Sequence, residues 1–168
     1  WNTDQGSNEI AVMVAWLPYE NQDYILMNFL EAMKSFIFNK NNELVLYANM
    51  TLESILSQIC FLEFSKGKNA KDVEEFLVSG ATYGHQINHL FNLICKSNGF
   101  PTLGQPLLAR INKIRKLRNQ IAHKGILKNK KGIVRDLEKD EKDEIMTTCI
   151  VGYAFFRDIL EKMDVAEV

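Results

Sequence analysis

The spacing of apolar residues constrains this chain most: over long stretches they recur at steps of three and four, the period of a helix with one buried face. Between Glu43 and Phe64 the rhythm runs through Val45, Ala48, Leu52, Ile55, Ile59 and Leu62. From Pro18, a favoured first-turn residue, Leu26, Phe29, Leu30, Met33 and Ile37 repeat it up to a break at Asn39 to Asn42. A third stretch, Lys71 to Lys96, carries Val73, Phe76 and Leu77, an interruption at Ser79-Gly80, then Ile87, Leu90, Phe91 and Ile94, which reads as one kinked helix or two. Gln105 to His123 buries Leu107, Ile111, Ile114 and Ile121, with Gly125 as a left-handed cap. Asp136 to Met163 opens on acids, as the helix dipole favours, and places Met146, Cys149, Tyr153, Phe156, Leu160 and Met163 on one face. The expected fold is all-α, an antiparallel bundle of about five helices over residues 18–168. Phe29, Phe36, Phe91, Phe155, Phe156 and Tyr153 follow the helical spacing and are read as core. Residues 1–17 are read as a lead-in segment, in which Ile10 to Leu17 is short and apolar. The first residue is Trp1 rather than Met, which leads us to expect an upstream region.

The length of 168 residues suits one domain. A net charge of −1 hides an uneven distribution: no acid falls between Glu75 and Asp136, whereas ten Lys or Arg lie from Arg110 to Arg135. Such asymmetry points to an anionic partner. Cys60, Cys95 and Cys149 are odd in number, far apart and set among apolar neighbours, as expected of reduced core thiols in a cytoplasmic protein. No uninterrupted apolar run approaches the roughly 18 residues of a membrane span, so no membrane partner is expected.

The helix ending at His123 carries the chemistry. Arg115, Arg118, Asn119 and Ala122 fall at steps of three, four and seven, and His123 lies four residues after Asn119, so guanidinium, carboxamide and imidazole are expected on one patch. Those groups suit RNA cleavage without a metal or cofactor. An imidazole exchanges protons near neutral pH, so His123 can serve the 2'-hydroxyl or the leaving 5'-oxygen. Arg118 can fork onto the phosphate, and Asn119 can orient His123 or bond the nucleic acid. Arg110, Lys113, Arg115, Lys116, Lys124, Lys128, Lys130 and Lys131 would contact RNA backbone phosphates.

At Arg118-Asn119-Gln120-Ile121-Ala122-His123 the sequence resembles the HEPN superfamily (higher eukaryotes and prokaryotes nucleotide-binding), helical proteins marked by Arg, four to six residues, then His, commonly with Asn after the Arg. The resemblance spans about Glu43 to Met163, with Glu53 matching the acidic residue many members carry near the motif. It implies a metal-independent endoribonuclease, often a toxin or phage-defence protein, active as a homodimer whose two motifs face each other. An antitoxin or a fused N-terminal domain would be the regulatory partner. Toxins silenced by nucleotidyl transfer carry Tyr two residues after the His; Gly125 stands there here, so that form of regulation is not expected.

Plainer readings stand beside these. Arg118 and His123 can be a solvated helix end, Glu53 an interhelical hydrogen-bonding residue, and Lys124 to Arg135 a connector facing the acidic start of the last helix. His85 and His89 sit four apart, but Gln86 replaces the Glu of a zinc-protease motif and no third ligand is evident. The glycosylation triplet Asn49-Met50-Thr51 falls inside an expected helix and is set aside. A non-catalytic module binding RNA, nucleotide or a partner protein is the alternative to the ribonuclease, and a purely structural dimerisation or regulatory domain a third reading.

Overall fold

The computed structural model describes residues 23–129 and 131–165, so the expectations for Pro18, for Ile10 to Leu17 and for the boundary of the lead-in segment fall outside the described residues. Six helices form there, α1 (Tyr24–Ile37), α2 (Asn41–Ser65), α3 (70–80), α4 (83–98), α5 (Gln105–Lys124) and α6 (Lys139–Val165), and no strand among the described residues. The all-α expectation holds.

Helix α1 begins at Tyr24 because the Asp23 carboxylate accepts from the Ile25 and Leu26 amides at 3.0 and 3.1 Å. It breaks near Asn39, whose φ of 54° suits asparagine. α2 is the centre of the fold, packing most extensively against α1 and α6 and then α5. Leu44, Val45, Ala48, Leu52, Ile55, Leu56, Ile59 and Cys60 are fully buried along it. An 18-residue window of α2 reaches a mean hydropathy of 1.3, long and apolar enough for a membrane span by composition, yet 56% of it is buried within the protein. A core helix has that profile too. Phe29, Phe91 and Phe156 are buried, and Phe36, Phe155 and Tyr153 pack against the core from its edge, Tyr153 stacked on Phe29 at 4.6 Å.

The third apolar stretch resolves into two helices. α3 widens from an α-turn (Ala70–Glu75) into a π-turn (Phe76–Gly80), and α4 contains a second π-turn (Gln86–Leu90) between Tyr83–His85 and Phe91–Asn98. Buried Gln86 holds the junction: its amide nitrogen donates to the Ala81 carbonyl at 2.7 Å and its oxygen accepts from the Ser57 hydroxyl at 3.0 Å. One side chain thereby satisfies backbone that the helix break frees.

α5 ends at Gly125, φ 69°, whose N–H reaches the Ile121 carbonyl at 2.7 Å. Its buried face is Ile111, Ile114, Leu117 and Ile121, while Leu107 is only half-buried. α6 starts at Lys139 rather than Asp136, since Asp136 instead accepts from the Leu137 amide and the Asn41 side chain outside the helix.

Cys60, Cys95 and Cys149 are free and buried. Burial pushes Cys60 and Cys149 up to about 12 and Cys95 up to about 11; Cys95 adds to the rise at Cys60, and a hydrogen bond with Thr51 partly offsets that at Cys149. Unfolded thiols ionise near about 8.5. The unfolded chain therefore releases protons first, so this contribution to stability is complete below about pH 8.5 and falls as pH rises toward the folded values. Urea midpoints measured from pH 7.5 to 10 should drop across that window, and drop less in a Cys60→Ala, Cys149→Ala variant.

Gly152 lets α6 close on α2: a Cβ there would sit 2.6 Å from the Leu52 Cδ2. Gly152→Val should destabilise the fold by about 1–3 kcal/mol through overpacking, read as a lower urea midpoint with unchanged slope.

Candidate functional site

Between α2, the start of α4 and α5 lies a cleft of about 190 Å³ lined by Asn49, Glu53, Thr82, Tyr83, Gly84, Arg115, Arg118 and Asn119. Helix spacing explains two walls. Asn49 and Glu53 are one turn apart on α2, and the Asn49 amide donates to the Glu53 carboxylate Oε2 at 2.8 Å. Arg115, Arg118 and Asn119 share a stripe of α5, where the Arg118 Nη1 donates to the Asn119 Oδ1 at 3.3 Å. Thr82-Tyr83-Gly84 forms the third wall because the chain restarts as a helix there, after the break that Gln86 pins.

Gly84 is the floor under Arg115. A Cβ at position 84 would collide with the guanidinium, whose Cζ would stand 3.1 Å from it. Polar groups in this cleft are short of partners: Asn49 is 1% exposed with no hydrogen bond to its Oδ1, and the buried Tyr83 hydroxyl and Arg115 Nε also have none. Burial, and then the Glu53 carboxylate, hold the Tyr83 phenol well above its ordinary range against the opposing pull of Arg115, so it stays a neutral hydroxyl.

The structure therefore brings together Arg118, Asn119, Glu53 and Arg115. His123 is exposed in the last turn of α5 and is not among the residues that line the cleft. It stands one turn beyond Asn119, a lining residue, on the same helix, so the imidazole flanks the cleft from the end of α5. Asn49, Thr82, Tyr83 and Gly84 were not among the candidate residues; the break at Ser79-Gly80 was the one signal that backbone near them departs from a regular helix.

The other cations separate into two groups. Lys113 pairs with Glu144, and Arg110 reaches the same carboxylate at 4.0 Å, so α6 draws both toward itself. Lys116, Lys124 and Lys131 are exposed, Lys128 is half-buried with its amide bonded to the Gln120 side chain at 3.3 Å, and Lys130 lies outside the described residues. Within the connector's described residues, local hydrogen bonds and one pairing with the acidic start of α6 are present. Lys128 bridges to Val134, the Asn129 side chain accepts from the Lys131 and Ile133 amides, and Arg135 forks onto Glu141, which holds that carboxyl below its usual range.

His85 and His89 are exposed with ring centroids 5.0 Å apart, and among the described residues no three His, Cys, Asp or Glu side chains cluster in a way that would hold a metal ion. No protein-family model matches the chain, and neither a curated protein nor a solved structure is significantly similar to it.

Asn49 joins core to cleft, so its substitution reports on both. Asn49→Asp sets a second carboxylate against Glu53 without the donated hydrogen bond and should cost about 1–3 kcal/mol at pH 7. The neighbouring carboxylate favours protonation in the folded state, so the deficit in urea unfolding should shrink as pH falls from 7 and be largely gone by about pH 4.

Proposed function

We propose that this chain is an HEPN-like, metal-independent endoribonuclease acting as a homodimer. The observation that supports this reading best is the set of two guanidinium groups and a carboxamide, Arg115, Arg118 and Asn119, on one cleft-facing stripe of the helix that ends in His123. Arg118 holds the scissile phosphate and stabilises the charge that builds on it. A neutral His123 takes the proton of the 2'-hydroxyl, O2' forms a bond to phosphorus, and the bond to the 5'-oxygen breaks as that oxygen gains a proton from a second imidazole. His123 of a second copy supplies that group, which accounts for an exposed histidine outside the cleft of its own chain. The products are a 2',3'-cyclic phosphate and a 5'-hydroxyl. Lys116, Lys124, Lys128 and Lys131 add salt-dependent grip on the strand.

The exposure of His123 also favours a second reading, a non-catalytic module that binds RNA, nucleotide or a partner protein through the same basic face.

Incubation of wild type and His123→Ala with mixed RNA in EDTA separates the two. The ribonuclease gives cyclic-phosphate ends with wild type and at least a 100-fold loss with the folded variant. Magnesium-dependent cleavage, or equal cleavage by both proteins, overturns the mechanism. Salt-sensitive binding without cleavage by either establishes the binding module.

A further inference from the structure

We propose that the cleft between α2, α4 and α5 is a base-reading subsite for guanine; this rests on the reading above only in taking RNA as the ligand. The cleft holds an acid and two arginines that do not pair with one another. Glu53 lines it opposite Arg115 and Arg118, yet no ion pair within 4.0 Å joins that carboxylate to either guanidinium, although carboxylates partner Lys113, Arg135 and Arg157 elsewhere in the fold. Opposite charges held apart across a small space call for something between them that donates to one wall and accepts from the other.

The acceptor wall is specific. Asn49 donates its amide nitrogen to Glu53 Oε2 and so fixes the carboxylate, whose Oε1 accepts no hydrogen bond among the described residues, while the Asn49 Oδ1 itself is buried out of a ligand's reach. The donor wall is Arg115, seated on Gly84, with Arg118 beside it. A bare phosphate would satisfy the arginines but set its charge against the Glu53 carboxylate. Guanine fits both walls: N1–H and the 2-amino group are adjacent, parallel donors for the two oxygens of the Glu53 carboxylate, and O6 with N7 is the acceptor pair that an Arg fork reads. Adenine and cytosine offer a single amino group, whose two N–H bonds diverge, and uracil a single N–H, so none of them presents two side-by-side donors to a carboxylate. The volume of about 190 Å³ lies below the roughly 300–1,000 Å³ of pockets for drug-sized ligands, which suits one base with its sugar and phosphate left outside. Arg118, at the His123 end of the stripe, then stands where the adjoining phosphate emerges.

The test is fluorescence anisotropy of the intact, non-cutting His123→Ala chain with short labelled oligouridylates that carry one central guanosine, inosine or adenosine. Guanosine should bind roughly 5- to 100-fold tighter than adenosine, with inosine, which lacks the 2-amino group, in between. Adding Glu53→Gln, which turns an acceptor into a donor, should remove the preference while circular dichroism shows an unchanged fold. Equal affinity for the three oligomers, absence of binding at low salt, or a preference that survives Glu53→Gln overturns the subsite. Inosine reports on the wild-type cleft wall and needs no substitution there, so a Glu53 variant that fails to fold leaves the test intact. Wild-type cleavage of mixed RNA without guanine bias rejects the subsite and keeps the ribonuclease; guanine-selective binding with no cleavage keeps the subsite and rejects the ribonuclease.

Discussion

Burial of α2 is the constraint on which the rest depends. A helix with eight apolar side chains at full burial must be covered over most of its circumference, so α1, α5 and α6 all lie against it and a narrow stripe through Glu43, Met50 and Gln58 is left to solvent. That enclosure makes Asn49 and Thr51 expensive residues. Thr51 resolves the cost locally, its hydroxyl donating to the Tyr47 carbonyl at 2.8 Å. Asn49 resolves only half of it, and its Oδ1 stays buried without a partner at the edge of the cleft. The site is where the core runs out of ways to satisfy its own polar groups.

α5 translates that core into a surface. Ile111, Ile114, Leu117 and Ile121 fix its rotation about its own axis by packing inward, and a helix so held has no freedom left in where it sends Arg115, Arg118 and Asn119. The same rotation leaves Ala122 and His123 in solvent. Positive charge is also sorted by packing: acids on the first turns of α6 neutralise the cations that face it, and those on the outer face remain exposed.

Long helices with strict periodicity were legible because one physical effect, burial of a stripe, writes both sequence and structure. Val45 to Ile59 and Met146 to Met163 are of this kind, and Gly125 was readable because few residues other than glycine sit comfortably at positive φ. The α3–α4 region was legible only as an interruption, since its geometry depends on Gln86 reaching back to Ala81 and across to Ser57, a contact between α2 and α4 that no local pattern encodes. Arg118, Asn119 and Glu53 could be picked out by type and spacing. Their company in the cleft could not, because Thr82, Tyr83 and Gly84 arrive from a different helix, and nothing about a lone Gly-containing turn announces that a guanidinium will rest on it.

The wide turn at Gln86–Leu90 has a consequence for how the two ends of α4 are related. Each residue of an ordinary helix advances the side-chain direction by about 100°, so one extra residue within a turn re-phases everything beyond it. Phe91, Ile94 and Cys95 lock the far end into the core, while Tyr83 and Gly84 at the near end set the shape of the cleft. The π-turn is the gear between them. A single added or lost residue in that turn would swing the cleft wall a quarter-turn or more and would carry buried Ile87, Gln86 and Tyr83 with it, so along this one helix the shape of the site is tied to the packing of the core.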